Sequence, residues 1–160
     1  MNLLWEHRKK FFACLGMLST LALGLLSGQA QAATATTTFS VTATNLAFGS
    51  YTGALTNATS TISVTCTNTT GYNVGLDAGT STGATVTTRK MTGPAGATLA
   101  YALYQDSAHT VNWGNTPGTD TVAGTGNGSA QTLTVYGQVP AGQFVTPGAY
   151  TDTITATITY

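Results

Sequence analysis

After residue 32 the sequence has no glutamate, one lysine and one arginine, and charged residues make up only 6% of the whole chain. The residues that most favour helices are therefore nearly missing, which excludes long amphipathic helices. Asp77, Asp106, Asp120 and Asp152 are set against Arg89 and Lys90 alone, so there is neither a basic stripe for nucleic acid nor an acidic tail. His109 is the only histidine after His7, and it lies in a polar turn, Asp106-Ser107-Ala108-His109-Thr110. No spacing around it supplies the partner and the orienting group that a general base needs. The aspartates lack the Asp-x-Asp-x-Asp-Gly order of a calcium loop, and Gly124, Gly126 and Gly128 lack the lysine of a phosphate cradle. These absences predict no catalytic residues, no metal, no cofactor and no small-molecule substrate, and so a protein that is not an enzyme.

What is present begins with Arg8, Lys9 and Lys10, then an uncharged apolar run over residues 11–26, then Ala30-Gln31-Ala32. This is the order of a signal peptide, and residues 1–32 are read as one, cleaved after Ala32. The run is shorter than the about 20 residues that span a bilayer. Cys14 leaves with the signal and Cys66 remains as the one cysteine of the exported chain. An odd cysteine in an exported protein implies intermolecular pairing or a buried thiol. Because Cys66 alternates in step with Ile62 and Val64, it is read as a free thiol in the core.

The exported part, about 128 residues, is one domain long and can bury about two thirds of its unfolded surface. Threonine supplies about a quarter of it, and threonine with valine, tyrosine, alanine and glycine describes strands joined by tight turns. Alternating runs are expected at 37–44, 46–51, 61–67, 72–78, 85–91, 99–105 and 131–139, separated by glycine-rich loops at 93–96, 114–118 and 124–128. Seven or so strands without helices fit an all-β immunoglobulin-like antiparallel sandwich better than a barrel.

The last run is the most regular. From Thr151 threonine recurs at every second position to Thr159, while Ile154, Ala156, Ile158 and Tyr160 form the opposite, apolar face. A long strand burying one face is expected here, and no further run follows to pair with it, so its neighbour is expected from elsewhere.

Several pieces in order carry a resemblance: Leu46-Ala47-Phe48-Gly49-Ser50-Tyr51, Ser63-Val64-Thr65-Cys66, Arg89-Lys90-Met91, residues 99–106, Trp113-Gly114, and residues 135–143 continuing to Pro147-Gly148-Ala149-Tyr150-Thr151-Asp152. Together the chain resembles the spore coat protein U domain family, which includes subunits of archaic chaperone–usher pili. The resemblance implies an incomplete sandwich lacking its last strand, completed by strand addition from a periplasmic chaperone and later by the next subunit. It further implies an outer-membrane usher as partner and a cell-surface pilus serving adhesion and biofilm formation. Residues 33–45 then become an N-terminal donor-like segment with Phe39, Val41 and Ala43 as its donor side chains. Residues 46–160 become the pilin-type domain, whose Ile154, Ala156, Ile158 and Tyr160 line the acceptor groove. Family members usually carry a cysteine in the first strand that pairs with the one matching Cys66; none stands there in this chain, a loss of about 2–5 kcal/mol for a small secreted domain. The alternative is a self-contained secreted coat or ligand-binding sandwich in which residues 37–44 pair inside their own domain.

Overall fold

The computed structural model describes residues 2–9, 37–67 and 69–160, so the apolar run at 11–26 and the cleavage site after Ala32 lie outside the described residues. Ten strands follow one another: β1 (Asn2–Lys9), β2 (Phe39–Ala43), β3 (Leu46–Ala47), β4 (Thr56–Cys66), β5 (Gly71–Leu76), β6 (Arg89–Thr92), β7 (Thr98–Tyr104), β8 (Val122–Thr125), β9 (Ala130–Val139) and β10 (Thr151–Thr159). Among the described residues the one helical piece is a 3₁₀ turn at Pro94–Gly96.

The strands pair in the order β2-β4-β9-β7-β6-β10-β1-β3, with β5 joining β10 to β8. Every pair is antiparallel except β1 with β10. β7 serves both layers, pairing with β6 through its first half and with β9 through Ala102–Tyr104. The result is the all-β sandwich that the alternating runs predict. Its inner faces supply one core, in which Ile62, Val64, Leu76, Leu99, Leu103, Val135 and Ile154 are fully buried.

Some strand limits differ from the expected ones, each for a local reason. β4 starts at Thr56, before the expected Thr61, because its first residues pair with the far half of β9, from Thr56–Val139 onward. The second half of β8, Gly124 and Thr125, lies in the expected loop at 124–128; Gly124 fits in the strand because a side chain at that position would collide with the Tyr72 ring on β5. Residues 85–88 form no strand, since Thr85 and Thr88 bond to each other across a tight turn through both backbone N–H groups. Past Ala47 the chain leaves the sheet, although Phe48 remains in the core.

Candidate functional site

The open question of a β-sandwich is what covers the edges of its last strand, because unpaired N–H and C=O groups there invite another strand. One edge of β10 is covered internally. Thr151 pairs with Thr92 of β6, and Ala156 to Thr159 pair with Leu76 to Asn73 of β5. Between those two stretches side chains supply part of the ladder: the Thr153 N–H donates to Asp152 Oδ1 at 2.8 Å and the Thr155 N–H to Asp77 Oδ1 at 2.9 Å, while the Asp77 backbone N–H donates to the Thr155 carbonyl at 3.2 Å. The other edge of β10 runs beside β1 in parallel, in register from Asn2–Thr151 to Lys9–Ile158. The start of β1 also pairs antiparallel with β3, Asn2 opposite Ala47 and Leu3 opposite Leu46. β1 therefore occupies a slot one strand wide between β3 and β10. Just beyond the Thr151 end, residues 49–51 and 145–150 line a hollow of about 350 Å³.

A buried polar frame fixes β10 in place. Asp152, 3% exposed, accepts hydrogen bonds from Tyr101 Oη at 2.8 Å and from the Thr80 N–H and Oγ1 at 2.9 Å each. Arg89 is fully buried and donates only to carbonyl oxygens: Asp77 at 2.8 Å, Val86 at 2.6 Å, Leu76 at 2.9 Å and Trp113 at 2.7 Å. Burial lowers its pKa to about 10, leaving the guanidinium charged at neutral pH. Four aspartates scattered through a glycine-rich, turn-rich sequence are expected in turns. That holds for Asp106, which caps a turn at Thr110 and Val111, and for Asp120, which accepts from the Thr116 N–H. It fails for Asp152, which binds strands, and holds in part for Asp77, whose Oδ1 accepts both from the Gly79 N–H at 3.0 Å in a local turn and from the Thr155 N–H of β10. The signal was parity: Asp152 shares the inward face with Ile154, and Arg89 with Met91.

Burial first, and then the Asp152 carboxylate, raise the Tyr101 pKa above its ordinary 10.0. The folded protein thus keeps a proton that the unfolded chain releases, and this contribution is fully present below the unfolded pKa and is lost as pH rises above it. Arg89, whose pKa burial lowers, acts in the opposite sense. Tyr101→Phe is expected to cost about 1–3 kcal/mol at neutral pH through the lost bond to Asp152. Its deficit should shrink between about pH 8 and about pH 11 in urea unfolding; a deficit that stays constant with pH would count against this assignment.

Of the residues singled out in the sequence, Ile154, Ala156 and Ile158 lie on the inner face of β10 at 0%, 3% and 6% exposure. Tyr160, just past β10, is 41% exposed and stacks on Phe39 with ring centroids 4.0 Å apart. Phe39, Val41 and Ala43 lie together on β2, which pairs antiparallel with β4 of the same chain and packs half-buried against the core. Cys66 is buried and unpaired, with its Sγ toward the Thr67 carbonyl at 3.4 Å. His109 is less solvated than a free loop residue: it sits edge-on to Tyr104 and Tyr136, its Nε2 enclosed without a hydrogen-bond partner.

The family model described as Spore Coat Protein U domain matches residues 25–157. A curated relative, Protein U of Myxococcus xanthus, is 47% identical over 62 residues, which are 39% of this chain and 34% of that protein. Among solved structures, the chaperone–tip adhesion subunit pre-assembly complex of the archaic chaperone–usher Csu pili of Acinetobacter baumannii contains a chain of similar fold, with a TM-score of 0.60 and 19% identity. That match covers 78% of this chain and 40% of the other, so this chain spans well under half the length of either relative.

Proposed function

The chain belongs to the Spore Coat Protein U domain family, and from that membership and the strand-wide slot we propose that it is a structural subunit of a chaperone–usher pilus. In this reading the slot between β3 and β10 is an acceptor groove. A periplasmic chaperone fills it first, and a neighbouring subunit then replaces the chaperone's strand at an outer-membrane usher. Ile154, Ala156 and Ile158 receive the incoming side chains from below. The role is mechanical, at the cell surface in adhesion and biofilm formation, and needs no cofactor.

The observation that carries this reading is the identity of the strand in the slot. β1 is built from Asn2–Lys9, residues assigned from the sequence to the charged start of a signal peptide. Cleavage after Ala32 removes it and opens the whole edge of β10 from Thr151 to Ile158. A replacement strand restores both ladders at once, which is strand addition in its usual form. On the sequence reading, residues 33–45 serve as the donor to another subunit; that demands that β2 leave β4.

The test is the behaviour of residues 33–160 exported alone or with the chaperone. The expected results are aggregation or proteolysis of the lone chain and a soluble one-to-one complex when the chaperone is present. A soluble, fully folded monomer without any chaperone would instead favour a self-contained secreted sandwich.

A further inference from the structure

β2 forms one wall of the sandwich beside the slot, and it is pinned to β4 at both ends. Before it, the Thr67 N–H donates to the Thr38 carbonyl at 3.4 Å. After it, the Thr44 N–H donates to the Thr61 carbonyl at 2.9 Å, and the Thr61 N–H returns a bond to Thr44 Oγ1 at 2.9 Å. Between these points the register runs unbroken from Phe39–Cys66 to Ala43–Ile62. The inward residues Phe39, Val41 and Ala43 pack on the core beside Ile62, Val64 and Cys66, all fully buried. The same strand reaches across to the other sheet, because the Phe39 ring stacks on Tyr160 immediately beyond β10. Among the described residues, the strand in the slot pairs with β10 as far as Lys9–Ile158, two residues before Tyr160.

We infer that β2 is a permanent strand of its own domain, and that the Phe39–Tyr160 stack is a clasp holding it there and closing the Ile158 end of the acceptor slot. The slot is then asymmetric. It opens at the Thr151 end, next to the hollow at residues 49–51 and 145–150, and stops at the clasp. Such a stop has a use, because a slip of one residue would turn every inward side chain of an incoming strand outward. Phe39 and Tyr160 are thereby register-setting residues for whichever chain fills the slot. This inference rests on the acceptor reading for its use, but the home position of β2 can be tested without it.

The register supplies the test. Phe39 and Cys66 stand directly opposite each other, and opposed residues in an antiparallel pair have Cα atoms about 4.5–5.5 Å apart. That falls inside the range a disulfide spans, about 4.4–6.8 Å. Phe39→Cys is made in the exported protein, together with Phe39→Ala. Phe39→Ala should lower the melting temperature of the chaperone-bound or assembled subunit by about 4–8 °C or more. Oxidised Phe39→Cys should close an intramolecular disulfide with Cys66 and recover that loss, because β2 is again held on β4, but without the ring that stacks on Tyr160 it should capture a complementing strand less well than the wild type. Failure of the two thiols to join in the folded protein would overturn the register and with it the clasp. A locked subunit that folds and binds chaperone but joins fibres only after reduction would show that β2 is itself the donated strand. If the wild type neither binds a chaperone nor polymerises, the pilus reading fails, while disulfide closure and the melting shift still judge the home position of β2.

Discussion

Ile158→Asp should abolish capture of a complementing strand, while Thr157→Asp, one residue earlier on the opposite face, should leave it nearly intact. Ile158 is 6% exposed on the inner face of β10, beside the position where β1 ends. A carboxylate there has no counter-charge and must be buried or neutralised once the slot is filled, so the filled state loses upward of about 4 kcal/mol. That corresponds to a loss of about three orders of magnitude in affinity for the donated strand. Thr157 pairs with Gly75 on the outer face, where a charge can reach water. Co-purification with the chaperone after export of each variant reads the difference directly. Equal recovery of both variants would show that the inner face of β10 does not form the groove floor.

Arg89→Met should be the most destabilising substitution outside the slot. The guanidinium satisfies four carbonyls from three separate places in the chain: Leu76 and Asp77, Val86, and Trp113. Methionine fills much of the volume but leaves those buried acceptors without donors, at about 1–3 kcal/mol for each that cannot relax to water. It also removes the positive charge that lies near Asp77 and Asp152. Arg89→Lys should recover little, because one ammonium on a flexible stem cannot reproduce a planar fork that reaches four acceptors. Urea unfolding of the chaperone-bound or assembled subunit is the measurement, with an expected loss of about 4 kcal/mol or more for Met. A loss below about 1 kcal/mol would mean that the frame contributes little beyond packing. Because Asp77 and Asp152 hold the internal edge of β10, the same variant should also weaken strand capture without touching the slot.

The strands that alternate cleanly were legible because period-two patterning is a local property. Thr151–Thr159 declares its buried face residue by residue, and β7 and β9 do nearly as well. The burial of Cys66 followed from the same count. β8 was hidden because a short Val-Ala-Gly-Thr stretch looks like loop until β5 is beside it. Asp152 and Arg89 were legible in parity but were outvoted by their polarity, since charged residues are almost never fully buried unless their hydrogen bonds are met. Those bonds come from residues far along the chain, such as Thr80, Tyr101 and Trp113.

Composition and alternation along the chain were enough to give the all-β class, the inward and outward faces of β10 and the buried thiol. Which strand lies beside which emerged with the folded arrangement. Phe39, Val41 and Ala43 alternate identically whether they cover their own core or a neighbour's, so the pattern could not assign β2 to β4. Nor could it reveal a slot, which exists only because β3 and β10, about a hundred residues apart in the chain, stand two strand spacings apart, roughly 9.4–9.8 Å. Side-chain alternation records what each strand buries; partners and gaps arise from hydrogen bonding between distant segments, and the linear order of residues does not encode that locally.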